Sequence, residues 1–408
     1  MKLFSPLWVR LLAVIGWLGS SMAASAATYD WNKTRNYPQN DPPIHSYLWM
    51  DGANWGDGTG IEYPEAGDTA NITPLLEGNL TVTFSGNPSV GILNVGDGGE
   101  GLYTMTLGAG STSANLTLNA DGGTAQINKS SGNLVVVNKR LYFTSDTVIS
   151  VAAGELRLSG ERAEFQKAGA VAVEGAGLLV FAADATDTQF STLFTGNLSL
   201  RANGTLLVNN TFAVNTTGAA ATVLVENTGR LGGSGTVGRK TTVESGGRLD
   251  PGSAPGAAGV LSFTDGLTLE SGAQFQFELK GNTAAGRGTA FDGVDVSAGS
   301  LEVEEGAIFN LTFNGAGSTV DFADVFWSAD QEWLIFDNTN AAALGAFTLG
   351  TPTVDSLGNP FAITGGAFGF KQSGNDLYLT YQVIPEPGSA LLLLGGGLAM
   401  AAARLRRI

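Results

Sequence analysis

The fold is decided by residues 229–279, which read GRLGGSGTVGRKTTVESGGRLDPGSAPGAAGVLSFTDGLTLESGAQFQFEL. Short runs in which apolar and polar residues alternate, such as VLSF and QFQFEL, are separated by turns made of Gly, Ser, Pro and Asp. Alternation with a period of two predicts strands with one buried face. Glycine supplies the positive φ that tight turns require. The stretch therefore predicts several short strands joined by tight turns.

The same pattern extends over residues 75–320, which form the predicted body of the protein. A glycine precedes many of the strand-like runs, and Gly132, Gly154, Gly177 and Gly196 recur at an irregular spacing of roughly 20 residues. A repeat of this length predicts the stacked coils of a solenoid. The strand-like runs in this region begin at positions 116, 134, 155, 171, 178, 198, 206 and 223. Helical candidates are few, and residues 162–168 and 340–346 allow one or two turns each.

Two all-β architectures fit so many short strands, a parallel β-helix or a series of antiparallel sandwiches or barrels. Gly246-Gly247, Leu249 and Pro251-Gly252 spell a GGxLxPG turn, and a Gly272-Ala273 strand start follows it. This pattern resembles the autotransporter-associated β-strand repeat, and the resemblance covers about residues 225–315. It implies a right-handed parallel β-helix, which we favour over the antiparallel alternative. A self-translocating barrel is not expected, because the stretch between Gly317 and the C-terminal tail is too short for its many membrane strands.

Aromatic residues flank the predicted body on both sides. Trp31, Trp49 and Trp55 lie in residues 27–74, which we predict to be an N-terminal cap. Residues 321–383 contain the runs 326–327, 333–336 and 377–381, and we predict them to be the last strands and a C-terminal cap. The open ends of a solenoid need such caps because unpaired strands template aggregation.

Composition narrows the range of functions. The 408 residues carry a formal net charge of −16, no Cys and a single histidine, His45. The absence of cysteine excludes thiol nucleophiles, disulfides and cysteine zinc sites. A strongly acidic surface repels nucleic acid and anionic lipid headgroups, so we expect no nucleic-acid partner.

The N-terminus has the three parts of a secretory signal. Lys2 and Arg10 precede an apolar run, and the small residues that follow end in Ala24-Ser25-Ala26. This A-x-A pattern predicts cleavage after Ala26, so that residues 1–26 are a signal peptide.

The C-terminus, residues 384–408, reads IPEPGSALLLLGGGLAMAAARLRRI. Residues 388–403 carry no charge and are predicted to form a short transmembrane helix, although about 20 residues is the usual span. The arginines after it are expected to remain cytoplasmic.

The Pro-Glu-Pro triplet, the apolar span and the terminal arginines together resemble the PEP-CTERM sorting tail. This resemblance implies recognition by an exosortase, a membrane-bound transpeptidase-like enzyme, with the triplet as sorting signal and the arginines as stop-transfer charge. These residues are Pro385, Glu386 and Pro387 in the signal and Arg404, Arg406 and Arg407 in the stop-transfer cluster.

Candidate chemistry is sparse. Residues 96–101 and 233–238 match G-x-G-x-x-G, but strand-like sequence follows both, whereas a dinucleotide site needs a helix there. Two clusters of carboxylates have the composition for acid–base work or cation binding, with an exposed outer face as the favoured interpretation. They are Glu302, Glu304 and Glu305, and Asp292 and Asp295. Calcium is a lesser candidate at Asp97, Glu100, Asp121 and Asp250, which lie in Gly-rich turns without an EF-hand spacing. We expect no catalytic residue, no metal and no cofactor.

The sequence thus predicts an exported, non-enzymatic protein of the cell surface or extracellular matrix of a Gram-negative-type bacterium, with a transient inner-membrane anchor. The PEP-CTERM resemblance implies exosortase as the processing partner and an association with exopolysaccharide or biofilm. The alternative is a polysaccharide lyase or glycoside hydrolase built on the same β-helical scaffold. A groove with clustered carboxylates beside Lys or Arg would favour the enzyme, and smooth uncharged faces would favour the structural rod.

Overall fold

The computed structural model describes residues 26–33, 48–56, 62–99, 101–110, 114–159, 165–166, 168–182, 194–212, 221–340, 342–350, 354–361 and 365–384. The described residues form strands joined by turns, with two short 3₁₀ segments at Gly52–Asn54 and Val325–Ser328. In chain order the strands are β1 Thr28–Asp30, β2 Thr69–Ile72, β3 Leu80–Phe84, β4 Ser89–Val90, β5 Ile92–Val95, β6 Met105–Gly110, β7 Asn115–Leu118, β8 Ala125–Lys129, β9 Leu134–Val137, β10 Arg140–Phe143, β11 Thr147–Val151, β12 Glu155–Leu158, β13 Phe165–Gln166, β14 Val171–Glu174, β15 Leu178–Phe181, β16 Leu198–Leu200, β17 Thr205–Val208, β18 Thr211–Phe212, β19 Thr222–Val225, β20 Arg230–Gly233, β21 Thr236–Val237, β22 Lys240–Val243, β23 Arg248–Pro251, β24 Val260–Phe263, β25 Leu267–Leu269, β26 Gln274–Glu278, β27 Gly293–Val296, β28 Leu301–Val303, β29 Ile308–Thr312, β30 Gln331–Asn338, β31 Ala342–Leu344, β32 Thr348–Leu349, β33 Gly366–Ser373 and β34 Asp376–Val383.

The strands visit three faces in turn, and strands on one face pair in parallel with those of the neighbouring coil. Among the described residues, the first sheet has 12 strands in the order β1-β2-β5-β8-β11-β14-β16-β19-β22-β25-β28-β31. The second sheet has 11 strands in the order β3-β6-β9-β12-β15-β17-β20-β23-β26-β29-β32. The third face is divided between a 4-stranded sheet, β13-β10-β7-β4, and a 7-stranded sheet, β18-β21-β24-β27-β30-β34-β33. This cyclic order of parallel strands is the arrangement expected of a β-helix.

Alternation along each strand builds a continuous core. In β3, β8 and β11 the first, third and fifth residues are buried and the two between them are half-buried. Parallel register places inward residues of successive coils in line, as with Ile127, Ile149 and Val173 of the first sheet. Each coil therefore buries its apolar residues only because a neighbouring coil stacks on it.

One type of turn recurs where the first sheet passes into the second. The carbonyl of the first turn residue accepts from the N–H of the fourth, over 2.8–3.2 Å. The third residue has a positive φ, between 64° and 90°. The turns are 201–204, 226–229, 244–247, 270–273 and 304–307, with Asn203, Thr228, Gly246, Gly272 and Gly306 in third position. This set of turns is called the main corner below. Backbone hydrogen bonds also join corner residues of neighbouring coils, for example from Gly246 N–H to Gly272 O at 2.9 Å.

Aromatic clusters lie at both ends of the stack. At the N-terminal end Trp55 packs edge-on against Trp31 and Trp49, with ring centroids 5.0 and 5.1 Å apart. At the other end the antiparallel hairpin β33–β34 adds to β30 and places Phe370 5.0 Å from Phe309, a core residue of the second sheet. β1, β2, β31 and β32 join the first and second sheets, so residues 27–74 and 321–383 contribute strands to the stack as well as aromatic clusters.

The strand predictions are confirmed, whereas a helical one is wrong. The runs predicted from residues 134, 155, 171 and 178 coincide with β9, β12, β14 and β15. Residues 342–344 form β31, paired in parallel with β28, because a neighbouring coil offers hydrogen bonds that override the helix propensity of alanine. Phe165–Gln166 is likewise strand, and the rest of the predicted turn 162–168, apart from Ala168, lies outside the described residues.

Candidate functional site

The outward side chains of the second sheet form the most structured surface of the body. Register aligns Glu155, Leu178, Thr205, Arg230 and Arg248 in one row that crosses successive coils. Where this row meets the main corner, a groove of about 470 Å³ crosses several coils. It is lined by Ala176, Asn203, Thr205, Asn227, Thr228, Gly229, Arg230, Gly246, Arg248 and Gln274. Small residues at the corner leave this space, and amide and guanidinium side chains border it.

A second groove, of about 350 Å³, lies on the same sheet. Glu155 and Arg157 form an ion pair at one side of it, with Nε and Oε1 2.5 Å apart. The far side is residues 253–255, and Asn209 holds them through a 2.8 Å hydrogen bond from Nδ2 to Ser253 O. The outward Leu207 is only 2% exposed. This groove is therefore partly apolar and partly charged.

Three carboxyl groups are buried beside these grooves. Asp250 is 4% exposed, Glu278 5% and Asp292 0%. Asp250 forms an ion pair with Arg230. Burial and the nearby Glu278 carboxylate nevertheless raise the pKa of Asp250 to about 7. Burial, together with a side-chain hydrogen bond and charge repulsion from Glu278, raises the pKa of Asp292 well above its usual range.

The surroundings of these carboxyl groups oppose catalysis on a polymer. Asp292 Oδ1 accepts from Gly259 N–H at 2.8 Å, and Oδ2 accepts from Glu278 N–H at 2.6 Å. A general acid or base must reach the proton that it transfers within hydrogen-bond distance. All three residues are at most 5% exposed, so a polysaccharide on the outer surface would not reach their carboxyl groups.

Sequence reasoning missed this cluster in large part. It singled out Asp292 and Asp250 for other roles and did not consider Glu278. Glu278 follows Gln274 and Gln276 on the outward side of β26, where alternation predicts exposure. A local signal is the segment 252–259, which is rich in Gly and Ala and contacts the cluster where Gly259 N–H donates to Asp292 Oδ1 at 2.8 Å.

A row of glutamates occupies the first position of four main-corner turns. Each of the four residues directly follows a first-sheet strand and donates its backbone N–H to the preceding coil over 2.8–2.9 Å. They are Glu226, Glu244, Glu270 and Glu304. Neighbouring coils are about 4.8 Å apart, so these carboxylates repel one another. Burial first, then Glu244 and Glu304, raise the pKa of Glu270.

We expect Glu270→Gln to stabilise the protein by a few tenths of a kcal/mol at pH 7. A raised folded-state pKa means that the protonated form is favoured on folding. That contribution is complete at low pH and is lost as the pH rises through the folded-state pKa. Urea midpoints should therefore differ at pH 7 and coincide near pH 3. Glu302→Gln is the control, because its cross-strand neighbours Thr268 and Ala343 are uncharged; an equal gain there would contradict the repulsion argument.

The other predicted carboxylate candidates are separated or exposed. Glu302 and Glu304 are exposed, and Glu304 accepts from Ser271 N–H at 3.1 Å as part of the corner. Asp295 forms an ion pair with Arg287 at 2.7 Å, whereas Asp292 is fully buried. The structure thus does not bring Asp292 and Asp295 into one acid–base pair.

Two of the proposed calcium ligands, Asp97 and Asp250, use their carboxylates within the chain. Asp97 is buried, and its carboxylate accepts from the N–H groups of Leu76, Gly99 and Gly101 at 2.9–3.2 Å. Asp121 is exposed at a positive φ of 50°, and Glu100 and His45 lie outside the described residues. Within the described ranges no three His, Cys, Asp or Glu side chains are placed to hold a metal ion. The next element after each G-x-G-x-x-G segment is a strand, β6 or β22, as predicted.

One buried lysine has the kind of perturbed titration that is common at functional sites. Lys129 is 1% exposed, and its amine donates to Ser131 O and, over 3.0 Å, to Ala153 O. Burial lowers the pKa of Lys129 to about 8. Because the amine donates hydrogen bonds to carbonyl groups of two turns, it links neighbouring coils.

Most of the predicted sorting residues lie outside the described part of the chain. These are Ala24, Pro385, Glu386, Pro387, Arg404, Arg406 and Arg407, together with the apolar span 388–403. Ala26 is described and exposed, and the next residue, Ala27, donates its N–H to Asp68 Oδ1 at 2.8 Å. Within the described residues no helix is both long and apolar enough to span a bilayer. Comparison of the chain with models of protein families and with curated proteins finds no match.

Proposed function

We propose that the protein is an exported structural or adhesive protein of the bacterial cell surface or extracellular matrix. The observation that carries this proposal is the body itself, in which parallel sheets stack over most of the described chain and present long outward faces. Such a stack is a rigid spacer with a repetitive surface. We further infer that the coil is right-handed, as parallel crossovers nearly always are, and that it is of the autotransporter-associated repeat type.

The terminal segments supply the proposed route to the surface. Residues 1–26 direct export, and residues 384–408 act as a PEP-CTERM tail that holds the protein briefly in the inner membrane. Exosortase then recognises Pro385, Glu386 and Pro387, while Arg404, Arg406 and Arg407 keep the end of the tail cytoplasmic. The released body joins the exopolysaccharide of a biofilm. The groove bordered by Arg230, Arg248 and neighbouring amides is the face that we assign to matrix contact.

The alternative function is a polysaccharide lyase or glycoside hydrolase. One observation favours it, since Asp250 has a pKa of about 7 and pairs with Arg230 at the groove. Against it, Asp250 and its carboxyl neighbours are at most 5% exposed. Release of reducing ends or unsaturated products from matrix polysaccharide by the purified protein would establish the enzyme instead.

The proposal is tested by replacing Pro385, Glu386 and Pro387 together with alanine in the producing cells. We expect the wild-type protein in the matrix fraction and the variant in the membrane fraction, because the variant lacks the element that exosortase recognises. Cells without the exosortase should reproduce the variant's distribution. Gln382→Ala, an exposed position of β34, is the control and should behave as wild type. An unchanged distribution of the triple variant would overturn the sorting proposal.

A further inference from the structure

The groove of about 470 Å³ on the second sheet, called the arginine groove below, differs in charge from the protein as a whole. The chain carries a formal net charge of −16, yet the described residues that line this groove include two Arg and neither Asp nor Glu. The two are Arg230 and Arg248, which are cross-strand partners on β20 and β23. Glu226 and Glu244 begin the adjacent corner turns but do not line the groove. The arginine groove therefore presents positive charge on an acidic protein.

The two arginines share one counter-charge. Arg230 forms an ion pair with Asp250, which is 4% exposed. Arg248 also interacts electrostatically with Asp250, but within the described ranges its guanidinium forms neither an ion pair nor a hydrogen bond. Like charges on directly paired residues repel each other, and a guanidinium carries five N–H donors. The half-buried Arg248 guanidinium is thus available to an anion from outside the protein.

The main corner supplies uncharged hydrogen-bonding groups along the same groove. Asn203 and Asn227 are exposed, and their side-chain amides form no hydrogen bond with any other described residue. Thr228 Oγ1 accepts from Asn203 N–H at 3.0 Å and so links two coils beside the groove. A Cβ at Gly246 would lie 2.3 Å from Asn227 Oδ1, so the small residue leaves room for this amide. Free amides beside a free guanidinium suit a ligand that carries both hydroxyl and carboxylate groups.

The position of the groove favours a sugar chain over a peptide. The strands under it, β17, β20, β23 and β26, each pair with a strand on both sides, so no sheet edge is open to an added peptide strand. No aromatic side chain is among the described residues that line the groove, although such residues usually anchor a bound peptide. Neighbouring coils are about 4.8 Å apart, which is close to the length of one sugar in an extended 1,4-linked glycan. A glycan that lies along the stack therefore meets equivalent positions on successive coils.

Building on the assignment of this groove to matrix contact, we propose that its ligand is an acidic polysaccharide of the polyuronate class, whose sugars carry carboxylates. A uronate carboxylate accepts hydrogen bonds from the Arg248 guanidinium. Hydroxyl groups of the neighbouring sugars bond to the Asn227 and Asn203 amides on the preceding coils. Arg230, held by Asp250, adds a second positive charge beside the bound chain.

Calorimetric titration of the purified full-length protein with three probes tests the ligand class. The probes are a β-1,4-linked glucuronate hexamer, cellohexaose, and a glutamate hexapeptide. Cellohexaose has the same backbone with hydroxymethyl groups in place of carboxylates, and the peptide has the same number of carboxylates without the sugar. We expect the glucuronate hexamer to bind at least about 10-fold more tightly than either, because charge-assisted hydrogen bonds are the strong ones. Its affinity should fall as salt is added.

The other outcomes of this titration contradict the proposal. Equal affinity for the two glycans, or no binding of the glucuronate hexamer, would mean that the arginines do not recognise a uronate. Equal or tighter binding of the peptide would mean that the groove recognises acidic chains of any kind. These comparisons use the wild-type protein and do not depend on the folding of a variant.

Arg248→Gln places the contact in the groove. Glutamine keeps a hydrogen-bonding side chain but removes the charge, so we expect the affinity for the glucuronate hexamer to fall about 10-fold. Lys240→Gln is the control, because it removes the same charge from an exposed position of β22 in the first sheet and should leave the affinity unchanged. Equal losses for the two variants would show that the net charge of the protein, and not the arginine groove, governs binding.

The polyuronate site and the proposed sorting route can fail separately. Sorting is measured in the producing cells by the distribution of the variant that lacks Pro385, Glu386 and Pro387, whereas the ligand is measured with the purified protein. A protein that reaches the matrix but does not bind the glucuronate hexamer would leave the structural role in place and overturn the polyuronate site.

Discussion

Gly229→Ala is expected to lower the free energy of unfolding by about 3 kcal/mol or more, because no space exists for a methyl group at this corner. A Cβ at Gly229 would lie 2.1 Å from Leu200 O and 3.0 Å from Glu226 O. Both atoms belong to the backbone. Leu200 O already accepts from Glu226 N–H at 2.9 Å, so it cannot withdraw without breaking the pairing of two coils. Urea unfolding followed by tryptophan fluorescence measures the loss.

The same corner supplies a matched control. Gly204, Gly229 and Gly247 occupy the fourth turn position in three coils, and Ala273 and Ala307 occupy it in two later coils. The later coils therefore accommodate a Cβ that the earlier ones cannot. Ala273→Gly should cost only about 1 kcal/mol, from backbone entropy and one lost buried methyl group. If Gly229→Ala and Ala273→Gly lowered the free energy of unfolding by similar amounts, any change at the corner would be destabilising and the steric contact would not be the cause.

The strands could be predicted from the sequence because the residues that alternate along each strand are the ones that stacking of the coils buries. In β9 and β12 buried Val or Leu residues alternate with half-buried residues, and a glycine lies just before each strand. The sheet to which each strand belongs was harder to predict from the sequence. Gly132, Gly154 and Gly177 precede second-sheet strands, but Gly196 precedes β16 of the first sheet. The equivalent of Gly177 is Gly204, which comes later than the regular spacing predicts because the coil between them is longer. Spacing alone does not show where a coil gains residues.

The buried carboxyl cluster was less predictable, for a physical reason. Outward positions of a strand are exposed unless another segment covers them, and alternation carries no information about a covering segment. Asp250 and Glu278 occupy outward positions of β23 and β26 that are nevertheless buried. These two residues are also far apart along the chain, and only the stacking of β23 on β26 brings them together. The pairing of distant strands therefore determines which carboxyl groups interact, whereas the alternation of residues within a short segment determines where the strands form.

The combined substitution Phe368→Ala and Phe370→Ala is expected to turn the protein into a self-associating one. Both side chains leave β33 on the side that faces the core. Phe368 stacks on Phe313 with ring centroids 5.6 Å apart, and Phe370 meets Phe309 at 5.0 Å. Loss of large aromatic side chains from packed sites costs several kcal/mol. The β33–β34 hairpin should then separate from the end of the stack.

Association should follow because the hairpin packs Phe370 against Phe309 and Phe347 at the end of the core, so its separation exposes apolar surface. β31 pairs only with β28, and β32 only with β29, so among the described strands these are the last of the first and second sheets. An uncovered edge with an apolar core behind it pairs with another chain. Light scattering after size exclusion should show a mass that rises with protein concentration for the double variant and a constant mass for the wild type. Lys371→Ala on the same strand removes an exposed ion pair with Glu332 and a cation–π contact with Tyr378, and it should match the wild type in mass. If the double variant kept the constant mass of the wild type, the end of the stack would not self-associate when these two aromatic side chains are removed.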